Sequence, residues 1–204
     1  MPHQANRPPL ILASQSHARR DMLQRAGLVF ESVPAAIDEA AITRRLRAAE
    51  VAPEDIALEL AKEKALAIAA VRPEALVIGS DQILECDGRL LEKAKTPADA
   101  REKLKLLQGR SHRLISAVCV ARGASVLWTH REEAVLTMHA LNDDTIDAYC
   151  ARAGEALLRA VGGYELEGLG AWLFARVEGD FFTVLGMPLL PLLHYLQRQH
   201  GWSP

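Results

Sequence analysis

The sequence predicts an α/β protein, with a mixed, twisted central sheet flanked by helices, and three observations lead there. Leu10–Gly27 (LILASQSHARRDMLQRAG) reads as strand, serine-rich turn and helix. Ala75–Ser80 (ALVIGS) is a continuous apolar run of the kind found in a strand covered on both faces. Helical and strand patterns alternate in the first half of the chain and strands cluster in the second, as in one mixed α/β body.

The opening unit carries the first chemical signal. Leu10–Ala13 suits a short buried strand, Ser14 and Ser16 stand where a helix must be capped, and Met22, Leu23 and Ala26 form its buried stripe before Gly27. The turn aims backbone N–H groups and the positive end of a helix dipole at one point, with Arg19 and Arg20 close by, so an anion fits there. The same residues also read as an ordinary strand and helix with solvated arginines.

Val29–Val33 alternates as a strand that Pro34 ends, and Asp38 and Glu39 open a weakly amphipathic helix running to Glu50. Pro53, Glu54 and Asp55 start the next helix, on whose apolar side Lys64 is the odd member. That lysine either snorkels to water or carries its charge into a cleft. Asp81 and Gln82 end the Ala75–Ser80 strand, and a carboxylate just past such a strand sits where open α/β sheets hold ligands, although a turn or cap role is equally consistent. Ile83–Cys86 and Arg89–Leu91 form a hairpin across Asp87–Gly88, followed at once by Lys93 and Lys95.

Thr96, Pro97 and Asp99 start a helix that stops at Gly109. His112–Arg122 and Ser125–Leu141 form a long hairpin across Gly123–Ala124, and Asn142 opens a short helix through Tyr149. The glycines of VGGYELEGLGAWLF match no known phosphate-loop spacing, and Glu165 and Glu167 would share a face of a regular strand. A turn at Gly179–Asp180, a strand through Val184 and a leucine-rich final helix from Met187–Pro188 complete the chain.

Composition bounds the function. The chain has 204 residues, half of them hydrophobic and a quarter charged, with a net charge of −2 and a pI near 6.4. That size suits a single domain over 1–204, with residues 1–9 as a flexible tail and a small lobe around 37–70 or 96–160. The charge gives no general attraction to nucleic acid polymers or anionic membranes, and no run approaches a membrane span. Cys86, Cys119 and Cys150 are odd in number and widely spaced, which points to a reducing, cytoplasmic setting.

Collected together, Ser14, Ser16, Arg19, Arg20, Lys64 and Lys93 can meet anions, while Glu39, Asp81 and Glu167 supply acid. An acidic chain with local cations at strand ends suits a small polyanion such as a nucleoside triphosphate. The blocks LASQSHARRDML, IDE, LAKEKA, VIGSDQ, EKAKTPADAREKLKLLQGRSH, GGYELEGLGA and VLGMPL resemble, in order, those of the Maf family of nucleoside triphosphate pyrophosphatases. The resemblance covers about Leu10–Leu196. It implies an inosine triphosphatase-like fold with a cleft between two lobes, a homodimer, and hydrolysis of the α,β-phosphoanhydride with a divalent metal, Mg²⁺ or Mn²⁺. It also implies Asp81 as proton acceptor, Lys93 as a second catalytic group, phosphate contacts from Ser14, Ser16, Arg19, Arg20 and Lys64, and Glu39 with Asp81 as metal ligands.

For the base, the resemblance singles out Ala18, Gln82 and Glu167. The dTTP/UTP-type subfamily carries Arg, Thr and Gln there, whereas Gln82 and Glu167 resemble the 7-methyl-GTP type, whose Trp is replaced by Ala18. Ala94 also stands where the family usually has Pro. The expectation is a pyrophosphatase leaning toward purines, with 7-methyl-GTP the leading candidate and dTTP/UTP the alternative. A reading of a different class is a non-catalytic, nucleotide-sensing regulator of cell division.

Overall fold

The computed structural model describes residues 7–202, so most of the expected 1–9 tail lies outside the described residues. The strands are β1 (Leu10–Leu12), β2 (Glu31–Ser32), β3 (Leu76–Cys86), β4 (Arg89–Leu91), β5 (Ser111–Arg122), β6 (Ser125–Met138) and β7 (Phe174–Glu178). They are hydrogen bonded in the order β2-β1-β3-β5-β6-β7, with β4 on β3. β1 runs parallel to β2 and to β3, while β4 is antiparallel to β3 and β7 to β6. The sheet is therefore mixed, and helices pack on it as α/β patterning requires.

The helices are α1 (His17–Arg25), α2 (Glu39–Ala48), α3 (Pro53–Ala69), α4 (Pro97–Leu107), α5 (Asp143–Ala153), α6 (Ala156–Arg159), α7 (Phe181–Val184) and α8 (Leu189–His200). The chain forms two compact units, both discontinuous in sequence. The first comprises the chain up to Asp81, Ser116–Glu132 and the chain from Gly186; the second comprises Gln82–Ile115 and Glu133–Leu185.

In the first unit, β1 is buried throughout, and α3 turns Ile56, Ala57, Leu60, Ala61, Ala65 and Ile68 inward. Pro53 at its first turn and the acidic pair Glu54–Asp55 explain where α3 begins. The approach of α3 to β3 is unusually close at Gly79. A Cβ built there would lie 2.1 Å from the Ala61 carbonyl oxygen and 2.6 Å from the Ala65 nitrogen, so only glycine admits the helix backbone at this height. On α8, Leu192 and Leu196 are buried but Leu190 is exposed, so the leucine-rich helix is amphipathic and not apolar all round.

In the second unit, Leu84, Leu104, Leu107, Leu114, Leu136, Met138 and Ile146 are among the residues of one core cluster. α4 starts at a reciprocal cap, in which Thr96 Oγ accepts from the Asp99 N–H and the Asp99 carboxylate accepts from the Thr96 N–H. Tyr164 meets Phe174 edge to face at 4.7 Å, and its hydroxyl lies 2.5 Å from His112 Nε2.

Burial pushes the His112 imidazole down to about 4. The unfolded chain takes up a proton at this histidine below its ordinary range, while the folded chain resists until about pH 4. The stability lost as pH falls across that window is at most about 3 kcal/mol. Urea unfolding of the wild type is expected to weaken through this range, and His112→Gln to weaken less. Parallel pH curves for the two proteins would contradict the assignment.

Four expectations are corrected. The Ala75–Ser80 and Ile83–Cys86 runs form one strand, so Asp81 lies within β3 and not past its end. Burial continues through Ile83 and Leu84, and Lys64 satisfies the carboxylate, which removes the reason to break the strand. Glu165–Gly168 is a turn, not a strand, because Gly163 adopts φ +77 and Gly170 seats a 3₁₀ turn (Leu169–Leu173) against the Glu165 backbone. The segment through Val184 is helical, since the Asp180 carboxylate accepts from the Phe182 and Thr183 N–H groups, and the strand is β7 just before it. Val29–Val33 contributes only the exposed pair Glu31–Ser32 to the sheet.

Candidate functional site

The first unit gathers two sets of polar side chains. One is the turn between β1 and α1. Ser16 caps α1 by accepting from the Arg19 N–H, and its own N–H donates to Ser14 Oγ at 3.2 Å. The Ser14 carbonyl accepts from Ser32 Oγ at 3.0 Å, which ties the turn to β2. Arg19 is buried; its Nε donates to the Gly186 carbonyl at 2.9 Å, and one terminal nitrogen lies 3.4 Å from Ser14 Oγ. Burial pulls the Arg19 guanidinium down from its ordinary value, opposed by the charges of Asp81 and Glu39. Even so lowered, an arginine stays charged near neutrality.

The second set is centred on Lys64. Its ammonium donates to Asp81 Oδ1 at 2.6 Å and lies 2.9 Å from Glu39 Oε2. Lys64 and Asp81 are both buried, whereas Glu39, in the first turn of α2 behind its Asp38 cap, is half exposed. Burial pushes the Asp81 carboxyl up, while the charges of Lys64 and Arg19 limit the rise. The lysine thus carries its charge inward, and the apolar stripe of α3 is what holds it there.

Ser80, next to Asp81, was not singled out by sequence reasoning. Its hydroxyl lies 2.8 Å from the Ala117 carbonyl and 3.2 Å from that of Gly186. Gly186, at φ +110, therefore presents one carbonyl to both Arg19 and Ser80. The glycine in VLGMPL was the available signal for such a backbone role.

Six of the expected residues thus come together: Ser14, Ser16, Arg19, Glu39, Lys64 and Asp81. Arg20, one step along α1, is half-buried with its Nε buried and unbonded, so Arg19 is the arginine tied into the cluster. Ala18 is half-buried at the start of α1.

Gln82, Lys93 and Glu167 belong to the second unit. Gln82 Nε2 donates to the Thr183 and Val184 carbonyls at 3.1 and 3.0 Å, anchoring α7. Lys93 is exposed in the segment after β4, and Glu167 is exposed on the Glu165–Gly168 turn. That turn is well braced. Tyr149 donates to the Gly163 carbonyl at 3.1 Å, and Arg159 makes a two-pronged pair with Glu165 at 2.8 and 3.1 Å.

A lysine-clamped carboxylate beside a serine-capped helix N-terminus, with a buried arginine close to both serine and carboxylate, defines an α/β protein with a compact, charge-paired polar site. The chain belongs to the Maf-like protein family, which it matches over residues 9–199. Among curated relatives, it is 50% identical to a nucleoside triphosphate pyrophosphatase of Nitrobacter winogradskyi over 94% of each chain. It is 48% identical to a 7-methyl-GTP pyrophosphatase of Rhizobium etli, over 94% of this chain and 96% of that one. A nucleoside triphosphate pyrophosphatase of Caulobacter vibrioides is also 48% identical, over 95% and 96%. A solved HAM1 protein from Coxiella burnetii aligns over 64% of this chain and 73% of that one at 14% identity, but its TM-score of 0.38 is too slight a likeness to bear on fold or function.

Proposed function

We propose that this protein is a nucleoside triphosphate pyrophosphatase that converts its substrate to the nucleoside monophosphate and pyrophosphate, with 7-methyl-GTP as the leading substrate. The observation that carries the reading is the buried Lys64–Asp81 pair at 2.6 Å, with Arg19 charged beside it, in a chain so similar to named pyrophosphatases.

In this reading Asp81 accepts the proton of a water that attacks the α-phosphorus. The new P–O bond forms as the bond from the α-phosphorus to the bridging oxygen breaks, and pyrophosphate leaves with that oxygen. Lys64 holds the Asp81 carboxylate in place, and together with Arg19 it offsets charge on the phosphates. The Ser14–Ser16 turn and the N-terminus of α1 receive phosphate oxygens. Lys93 meets the leaving pyrophosphate. Glu167 reads a guanine edge, since a carboxylate accepts from N1–H and N2–H together. Gln82 acts by anchoring α7, and Ala18 leaves space beside the base.

A divalent cation fits this donor set. Glu39 and Asp81 would hold it, since carboxylate oxygens are the ligands that Mg²⁺ or Mn²⁺ prefers, while Glu39 Oε2 and Asp81 Oδ1 are themselves engaged by the Lys64 ammonium. No group of three or more His, Cys, Asp or Glu suited to a metal occurs among the described residues, so water and phosphate oxygens would complete the shell. When bound, the cation supplies charge neutralisation on the phosphates. The reading also includes a cytoplasmic setting, carried by the cysteine usage, and a homodimer, carried by the family resemblance. No helix of the described residues is long and apolar enough to cross a membrane.

The test is pyrophosphate release from a nucleotide panel with Mg²⁺ or Mn²⁺. The expected result is turnover highest with 7-methyl-GTP or another purine triphosphate. Activity confined to dTTP and UTP would reverse the base assignment, and saturable binding without hydrolysis across the panel would replace the enzyme with a nucleotide-sensing regulator.

A further inference from the structure

The two substrate-facing segments proposed for the second unit, the one with Lys93 and the turn with Glu167, are far apart in sequence. One side chain bridges their backbones. Lys103, on α4, donates to the Val161 carbonyl at 2.7 Å, where the glycine-rich turn begins, and also to the Glu92 carbonyl, next to Lys93. Lys103 is half-buried, and it sits one residue before the buried Leu104, which fixes the face of α4 from which it projects. Neither carbonyl belongs to a regular helix or strand, so an ammonium that satisfies both ties together two segments that lie outside the sheet.

We infer that Lys103 is a positioning residue, which locks the Lys93 segment to the Glu167 turn so that the phosphate-side cation and the base-side carboxylate are presented in one register. The inference rests on the roles proposed above for Lys93 and Glu167. Lys103 itself touches neither substrate nor reacting atoms.

The bridge is pH-sensitive. Burial pulls the Lys103 ammonium down to about 8, the carboxylates of Asp99 and Glu92 oppose this, and the Lys93 charge adds to it. As pH rises through about 8 the ammonium loses its proton, and both bonds lose their charge assistance. An arginine at this position keeps its charge throughout that range.

The experiment compares wild type, Lys103→Met and Lys103→Arg by steady-state kinetics with the best nucleotide of the panel between pH 6.5 and 9.5, together with backbone hydrogen exchange without nucleotide. Loss of two charge-assisted bonds is expected to raise KM about tenfold in Lys103→Met, with a smaller change in kcat. Exchange is expected to speed up in residues 92–95 and 161–168 together. The wild-type KM should climb above pH 8, and that of Lys103→Arg should stay flat.

Faster exchange in only one segment, or an unchanged KM for Lys103→Met, overturns the bridge. Lys93→Ala and Glu167→Ala separate the two levels of the argument. If both are impaired while Lys103→Met is normal, the bridge fails and the site reading stands; if both turn over normally, the site reading itself has failed.

Discussion

Asp81→Asn is expected to bind nucleotide about as well as the wild type and to lose turnover by about 10²–10⁴-fold, the usual contribution of a positioned base. The amide nearly matches the carboxylate in shape, so β3 and the packing of α3 on it are preserved. What disappears is the group proposed to take the proton. Lys64 would keep Glu39 as an ionic partner at 2.9 Å, so the ammonium is not stranded as an unpaired buried charge. Calorimetric titration with nucleotide checks binding, and pyrophosphate release checks turnover. Turnover near the wild-type value would remove Asp81 from the base role, and lost binding would make it a binding residue instead.

Gly79→Ala is expected to damage stability and catalysis together. The added methyl falls 2.1 Å from the Ala61 carbonyl oxygen, which is helix backbone and cannot rotate away as a side-chain tip could. Overpacking of this kind costs about 1–3 kcal/mol and sometimes more. Relief requires α3 to lift from β3, and Lys64 rides on α3 between Ala61 and Ala65, so its 2.6 Å bond to Asp81 must lengthen. The urea midpoint should drop. Under conditions where the variant remains folded, kcat should fall further than the loss of folded protein explains. A variant with normal kcat would show that the Lys64–Asp81 contact does not depend on this close approach.

Several parts of the fold are written locally. Ser16 caps α1, Asp38 caps α2, Pro53 opens α3, the Thr96–Asp99 pair opens α4 and Asn142 opens α5, each at the expected place. Apart from Pro53, whose ring presets the first turn without a cap bond, these are bonds between a side chain and backbone three residues away, so the neighbouring sequence contains all the chemistry. The β5–β6 hairpin is legible for the same reason, since Gly123–Ala124 forms the turn between two long strand patterns. The glycine-rich stretch was misleading because its conformation depends on distant partners. Tyr149, Lys103 and His112 hold the backbone or rings of residues 161–164, and alternation of glutamates says nothing about them.

The candidate site divides along the same line. Sequence alone picked out its polar groups: the capped serine turn, the arginine pair, the lysine on an apolar stripe and the carboxylate after an apolar run. It determined the α/β class as well, because alternating patterns and caps are short-range properties. Tertiary structure decided which cation meets which anion. Lys64 reaches Asp81 across seventeen positions only because Gly79, Ala61 and Ala65 let a helix backbone rest on the strand. It also selected Arg19 over Arg20, since only Arg19 finds the Gly186 carbonyl. A buried charge persists where partners satisfy it, and those partners are set by packing between segments, which no local pattern encodes.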